Sequence, residues 1–242
     1  MKTYALLLLM ALMLLFIPGR ETQAADFTAG TAAELIAAIN TANANATADT
    51  IQLTADITLT EVDNLEYGQN GLPGILTDGG NALNIEGNGY TISRDVEAAF
   101  FRIFYVTADS TLTLSDVTIS NGSTQDNGID YQIFGGGILA FGDLVLDNTR
   151  ITQNVAGRGG GIYATGDLSI INGSIIGGEF GVDGNRTTAG GGGGVFHSAI
   201  DVFSQPLPEP STLLIDSSYI AGNQARGGQG AGIFINNINA TV

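Results

Sequence analysis

The chain contains no cysteine, and its only lysine is Lys2. The absence of cysteine excludes disulfide bonds as a source of stability. The chain has 24 acidic residues and only eight basic ones, so its formal net charge is −16. A chain this acidic is a poor partner for nucleic acid or for anionic lipid. We therefore expect no nucleic-acid binding.

Residue patterns that carry catalysis or bind metals are also scarce. His197 is the only histidine, and we expect it to be structural. Asp143 and Asp167 follow glycine at one shared repeat position, where Asp suits a turn; catalysis or calcium binding by this pair is the less favoured alternative. No metal-ligand spacing, cofactor motif or carboxylate cluster is visible. The sequence predicts no catalytic residue, no metal site and no cofactor.

Long hydrophobic runs are missing except for one near the N-terminus. Residues 5–17 are apolar, follow Lys2, and end at a Pro-Gly pair, and residues 22–24 offer a small-x-small cleavage site. This pattern predicts a secretory signal peptide over residues 1–24. A membrane anchor is the alternative, but the run is short for the ~30 Å hydrocarbon layer. We expect no membrane span in the mature chain.

The sequence does contain a glycine-rich repeat. The segment GGGILAFGDLVLDNTRITQN begins at Gly135, and GGGIYATGDLSIINGSIIGG begins 24 residues later at Gly159. Shorter copies open at Gly192 and Gly230. In four copies, apolar residues recur two and seven positions after a leucine, which is Leu112, Leu144, Leu168 or Leu213. A step of two is the period of a β-strand, and short strands of this kind must stack to bury their apolar side.

The repeat predicts an all-β fold, namely a right-handed parallel β-helix, or solenoid. The spacing predicts that six side chains point inward: Leu144, Leu146, Ile151, Leu168, Ile170 and Ile175. Asn154 and Asn223 share one repeat position and should stack as an amide ladder. The aromatic segment 100–105 is expected to be core.

A helix is predicted from Thr31 to about Asn43, because Thr31 and Glu34 form a T-x-x-E capping box before an apolar stripe. Such a helix would cover the open first turn of the solenoid. We expect a signal peptide over 1–24, the cap helix and first strands over 25–60, and β-helix repeats over 61–242. Polar loops are expected at 61–79, 121–133 and 199–211. Since the last copy has no leucine strand, we expect a fragment truncated at the C-terminus.

The glycine corners alternate with a second motif. GGGI at 135–138 and 159–162, GGGV at 192–195 and GAGI at 230–233 alternate with ITQN at 151–154 and IAGN at 220–223. This alternation resembles the repeats of chlamydial polymorphic outer-membrane proteins and related bacterial β-helix surface proteins. IIGG at 175–178 departs from the motif, and Ile stands where that family usually has Phe. The resemblance implies the pectin lyase-like β-helix fold and a bacterial adhesin, secreted or at the cell surface or outer membrane.

Two functions remain open at this point. The first is an exported surface protein with an adhesive, binding or structural role, whose partners would be glycans or host and cell-surface proteins. The second is a polysaccharide-active lyase or glycoside hydrolase, since such enzymes share the β-helix fold.

The candidate ligand-binding residues are Tyr163, Phe196 and Phe234, which with Leu139 follow the glycine corner and its aliphatic residue. Strand alternation predicts that this column points outward, where aromatic rings could contact sugars or protein. The alternative is that loops cover the column or that alternation breaks at the corner.

Overall fold

The computed structural model describes residues 24–124, 133–178, 183–200 and 211–236. The predicted signal peptide lies outside these residues except for its last position. The predicted loops 121–133 and 199–211 lie partly outside them.

The N-terminal end of the fold is covered by a helix. The chain enters through strand β1 (Asp26–Ala29) and continues into helix α1 (Ala32–Ala42). The N–H of Glu34 donates to Oγ1 of the N-cap Thr31 (3.2 Å), and the Glu34 carboxylate accepts from the N–H of Gly30 (2.9 Å). The buried face of α1 packs against β1 and the next two strands. The predicted capping helix is confirmed.

Four parallel sheets make up the rest of the described chain. The first sheet contains β1, β2 (Asp49–Leu53), β4 (Ala82–Glu86), β7 (Thr111–Ser115), β10 (Asp143–Asp147), β14 (Leu168–Ile171) and β18 (Leu213–Ile215). The second contains β3 (Ile57–Leu59), β5 (Thr91–Arg94), β8 (Thr118–Ser120), β11 (Arg150–Thr152), β15 (Ile175–Gly177) and β19 (Tyr219–Ala221). The third contains β12 (Val155–Ala156), β16 (Arg186–Thr187) and β20 (Gln224–Ala225). The fourth contains β6 (Phe104–Val106), β9 (Ile138–Ala140), β13 (Ile162–Ala164), β17 (Val195–Ser198) and β21 (Ile233–Asn236).

From β9 onward, the chain passes through the fourth, first, second and third sheets in each turn and then repeats the circuit, whereas the strands from β1 to β5 lie only in the first and second sheets. The register is set by the repeat: Leu144 pairs with Leu168, and Leu168 pairs with Leu213. Every pairing between these strands is parallel, as expected when equivalent segments of successive turns lie side by side. The all-β fold and the right-handed parallel β-helix are therefore confirmed.

The interior of the solenoid contains the predicted aliphatic columns. Five of the six predicted inward residues are fully buried: Leu144, Leu146, Ile151, Leu168 and Ile170. The prediction for Ile175 is wrong, because Ile151 pairs with Ile176, which is the buried residue. The connection between β14 and β15 has two residues with positive φ, Asn172 and Gly173. The equivalent connection between β10 and β11 has only one, Asn148. The extra residue moves the inward position by one.

The glycine corners need glycine for two separate reasons. The first glycine of each run has φ between 58° and 72°, a left-handed conformation that side chains disfavour: Gly135, Gly159, Gly192 and Gly230. The next glycine lies against the following turn, since a Cβ on Gly160 would be 2.4 Å from the carbonyl oxygen of Gly193. The runs are thus a requirement of the backbone.

Candidate functional site

An open cleft of about 590 Å³ lies on the outside of the solenoid, where the second sheet is followed by the third. Its lining comes from four successive turns. Two arginines contribute to it, Arg94 from the end of β5 and Arg186 from β16. Among the described residues that line it, none is acidic. Sequence reasoning missed this cleft, because no local motif connects residues so far apart in the chain.

Arg94 builds one wall of the cleft. Its Nε donates to the carbonyl oxygen of Asn121 (2.8 Å), and its Nη1 donates to the carbonyl oxygens of Asp95 (2.7 Å) and Ala98 (2.9 Å). The guanidinium lies over the ring of Phe100, 5.5 Å from its centroid. The loop that follows β5 is therefore held around the arginine. Phe100 is 42% exposed at the cleft, so the prediction that segment 100–105 is core is wrong for this residue, whereas it is confirmed for Phe101, Ile103, Phe104 and Tyr105, which are buried.

The charge of Arg94 is only partly compensated. The side chain is 6% exposed and forms no salt bridge with any carboxylate in the described part of the chain. Burial lowers the pKa of Arg94, and the nearby Asp95 carboxylate opposes this shift. Because a guanidinium stays protonated in proteins, the wall carries a positive charge.

The floor of the cleft follows the third sheet. Ser123 bridges to Val155, and Val155 pairs with Arg186, so these three residues lie in one row across successive turns. The guanidinium of Arg186 makes no hydrogen bond or salt bridge within the described ranges, and the residue is partly exposed. Asn121 and Gln153 also line the cleft, and the side-chain amide of Gln153 donates to Oδ1 of Asp183 (3.4 Å). The cleft thus offers cations, amides and hydroxyls beside an exposed aromatic ring.

A buried amide ladder supports the floor. The side-chain nitrogen of Asn154 donates to Oδ1 of Asn185 (2.9 Å), and that of Asn185 donates to Oδ1 of Asn223 (3.0 Å). Asn154 and Asn223 were predicted to stack, but Asn185 lies between them. The repeat pattern did not predict Asn185, because more residues separate it from β15 than separate Asn154 from β11 or Asn223 from β19. Since Asn154 lies between Gln153 and Val155 and Asn185 precedes Arg186, the ladder fixes the backbone of the cleft.

The predicted aromatic column lies on another side, along the fourth sheet. Tyr163 stacks on Phe196 with ring centroids 4.9 Å apart, and Phe196 stacks on Phe234 at the same distance. Phe134, which the repeat did not predict, stacks on Tyr163 at 4.5 Å. These rings form a hydrophobic cluster separate from the main core, as the outward direction predicts.

The expected exposure of this column is wrong for three of its four members. Leu139 is fully buried, Tyr163 is 2% exposed and Phe196 is 5% exposed, whereas Phe234 is partly exposed. Each ring covers the face of its neighbour in the next turn, and Phe134 with Ile133 packs against the column. This is the alternative in which loop residues cover the rings. Ligand binding by Tyr163, Phe196 and Phe234 stays a prediction, and Phe234 offers the accessible surface for it.

The remaining candidates make local structural bonds. Asp143 accepts a hydrogen bond from the N–H of Asp167 (3.0 Å), and Asp167 accepts one from the N–H of Thr212 (2.7 Å). His197 is 2% exposed, with Nε2 3.1 Å from the carbonyl oxygen of Gly166. Burial lowers the pKa of His197, and this carbonyl and the charge of Asp167 oppose the shift. No group of three potential metal ligands occurs among the residues with described positions.

Comparison with known proteins adds one match. Residues 28–134 match a family model described as "Putative pectate lyase-like adhesive domain". The match and the all-parallel sheets fit a β-helix family. The matched segment is less than half of the chain and includes Arg94 and Phe100 but not Gln153 or Arg186. No curated protein and no solved structure matches the chain.

Within the described ranges, no helix is long and apolar enough to span a membrane, since α1 has 11 residues.

Proposed function

We propose that this chain is an exported bacterial surface protein whose β-helix binds a glycan through the cleft and so acts in adhesion. The observation that carries the proposal is the lining of the cleft. The exposed ring of Phe100 lines the same cleft as Asn121 and Gln153, two residues with amide side chains. Sugars offer an apolar ring face and many hydroxyl groups, so an aromatic ring with nearby amides suits them. Cell-surface proteins that carry such glycans are the corresponding partners.

Binding fits the cleft better than catalysis does. Hydrolysis of a glycosidic bond generally uses two carboxyl groups on either side of that bond. The described residues of the cleft supply hydroxyls, amides and guanidinium groups, and none of them is a carboxylate. The single histidine, His197, is buried elsewhere. The alternative function, a polysaccharide lyase or glycoside hydrolase, receives no comparable support from this site.

Two further observations support a location at the cell surface. The apolar segment at residues 5–17 has the pattern of a secretory signal. The description of the matched family model contains the word adhesive. The predicted contacts of Tyr163, Phe196 and Phe234 would form a second binding surface, with Phe234 as its accessible member.

The test is a pair of cleft variants, Phe100→Ala and Gln153→Ala, compared with the wild type for binding to an array of oligosaccharides. We expect each to weaken binding by about tenfold, because each removes a ring contact or a hydrogen bond in the site. Thr113→Ala, on the outer side of the first sheet, is the matched control and should bind normally. Unchanged binding by both cleft variants, or release of cleaved sugar by the wild type, would contradict the proposal.

A further inference from the structure

We infer that the cleft takes an anionic glycan, an extended sugar chain whose carboxylate or sulfate groups pair with Arg94 and Arg186. This inference rests on the proposed glycan-binding function and specifies the class of ligand. It follows from the charge of the cleft and from the distance between the two arginines along the solenoid.

The described lining of the cleft carries a charge opposite to the net charge of the chain. The chain has eight basic residues against 24 acidic ones, yet the described lining contains two arginines and no carboxylate. The carboxylates nearby do not neutralise both cations: Asp183 pairs with Arg150 at 3.5 Å, and Asp95 lies beside Arg94. The guanidinium of Arg186 has no hydrogen-bond or salt-bridge partner within the described ranges. A partly buried cation without a counterion is unfavourable, so an anionic ligand would gain by supplying one.

The positions of the two arginines favour an extended ligand. Arg94 lies at the end of β5, and Arg186 comes after β15 in the chain. In the second sheet, β15 is three strands away from β5. Three strand spacings correspond to about 14 Å along the solenoid axis. A small anion could pair with one arginine only, whereas a chain with repeated anionic groups could pair with both. The planar guanidinium of Arg186 can bind a carboxylate or sulfate through two parallel hydrogen bonds, whereas Arg94, whose Nε and Nη1 donate to backbone carbonyls, would contribute mainly its charge.

The groups between the arginines favour a sugar chain over an acidic peptide. Asn121, Ser123 and Gln153 line the path with polar side chains that suit hydroxyl groups, and Phe100 offers a ring face. An acidic peptide would use the same two cations but would have fewer groups to match these amides and hydroxyls. Poly-glutamate is therefore a suitable comparison ligand.

The experiment measures the affinity of the exported protein for four probes by isothermal titration calorimetry. They are a hyaluronan hexasaccharide, its carboxyl-reduced form, a chondroitin sulfate hexasaccharide and a poly-glutamate peptide of similar charge. The protein variants are Arg186→Gln, Arg226→Gln and Phe100→Ala. Arg226 is exposed beyond β20 and outside the described cleft lining, so its substitution makes the same change in net charge as Arg186→Gln elsewhere on the surface. Circular dichroism verifies that all three variants fold.

We expect hyaluronan to bind at least about tenfold more tightly than its carboxyl-reduced form, and Arg186→Gln to weaken hyaluronan binding by about tenfold. Arg226→Gln should stay within about twofold of the wild type, because an exposed charge outside the site contributes little. Tighter binding of chondroitin sulfate would support the inference with sulfate as the paired group. A different outcome is that hyaluronan and its carboxyl-reduced form bind equally, with both affinities lowered by Phe100→Ala. That result would overturn the inference that the ligand is anionic, and glycan binding by the cleft would still stand.

Two other results would overturn the inference in different ways. Poly-glutamate binding as tight as hyaluronan binding, or equal losses in the two arginine variants, would indicate charge attraction without sugar recognition. Failure of every sugar probe to bind would contradict the proposed glycan-binding function itself, and this inference with it.

Discussion

The side-chain nitrogen of Asn154 donates a hydrogen bond to Oδ1 of Asn185 across 2.9 Å, one turn further along the solenoid. Oδ1 of Asn185 also accepts from the backbone N–H of Asn154 (3.1 Å), and its side-chain nitrogen donates to the carbonyl oxygen of Ile151 (2.8 Å). Both asparagines are fully buried. Because the residues beside them line the cleft, this ladder links the stability of the corner to the shape of the candidate site.

Replacing Asn185 with Ala should destabilise the protein by about 2 kcal/mol or more, because the buried N–H groups of Asn154 and the carbonyl oxygen of Ile151 lose a partner. Urea unfolding followed by circular dichroism measures this loss. Asn84→Ala is the matched control, since Asn84 is a partly exposed asparagine on the first sheet. Equal losses of unfolding free energy in the two variants would show that the ladder adds nothing.

The register of β15 gives a second prediction. Ile176 is fully buried and Ile175, its neighbour, is partly exposed. Ile176→Ala should lower the free energy of unfolding by about 2–4 kcal/mol, because it leaves a cavity in the core. Ile175→Ala should cost less than about 1 kcal/mol, as expected for a position outside the core. Thermal or urea unfolding of the two variants compares them directly, and the reverse order would restore the register predicted from the sequence.

The sequence was sufficient to predict the interior of the fold for a physical reason. Leu144 and Leu168 recur with the chain's own period, and only stacked turns bury both. The helix could also be predicted from the sequence, because Thr31 and Glu34 form a local capping pattern. The first signal is a spacing that recurs from one repeat to the next, and the second lies within one helical turn; in both, spacing along the chain determines the geometry.

Features that depend on side-chain contacts between different turns of the solenoid could not be predicted from the sequence. The inward position moved from Ile175 to Ile176 because one extra left-handed residue entered the turn. The burial of Tyr163 depends on Phe134, which approaches from the preceding segment of chain. The cleft combines Arg94 with Arg186, and only the stacking of four turns brings them to one surface. Periodicity therefore predicted the core far better than the candidate site.

The buried histidine predicts a dependence of stability on pH. Burial holds the pKa of His197 below its ordinary value, so the unfolded chain binds a proton more readily than the folded one. The contribution of neutral His197 should be complete above about pH 6.5 and should fall as the pH drops through the lower folded pKa. His197→Gln, whose amide can also donate to the Gly166 carbonyl, removes this proton uptake.

Unfolding in urea at about pH 7.5 and about pH 5 tests this, because the unfolded state gains its proton within that interval. Both proteins will respond to their many carboxylates, so the informative quantity is the difference between them. The wild type should lose more stability than His197→Gln on acidification. Equal losses would mean that the proton on His197 does not distinguish the folded from the unfolded chain.

The aromatic column separates a structural role from a binding role. Phe196 lies between Tyr163 and Phe234, with 4.9 Å between ring centroids on each side, and it is almost fully buried. Phe196→Ser should therefore lower the free energy of unfolding by about 3 kcal/mol or more, through lost packing and a buried hydroxyl. Phe234 is partly exposed, so Phe234→Ser should cost less stability. Urea unfolding measures both losses.

Binding by the same variants decides whether the column also contacts a ligand. If Phe234 is part of a second binding surface, Phe234→Ser should weaken attachment to oligosaccharides or to cells by about tenfold while the protein remains folded. Ile235→Ser is the control, because Ile235 is its exposed neighbour on β21 and lies outside the stacked rings. A similar loss in both variants would point to general exposure of the last strand. Unchanged attachment of a folded Phe234→Ser protein would make the column purely structural, because the only ring with accessible surface would then have no partner.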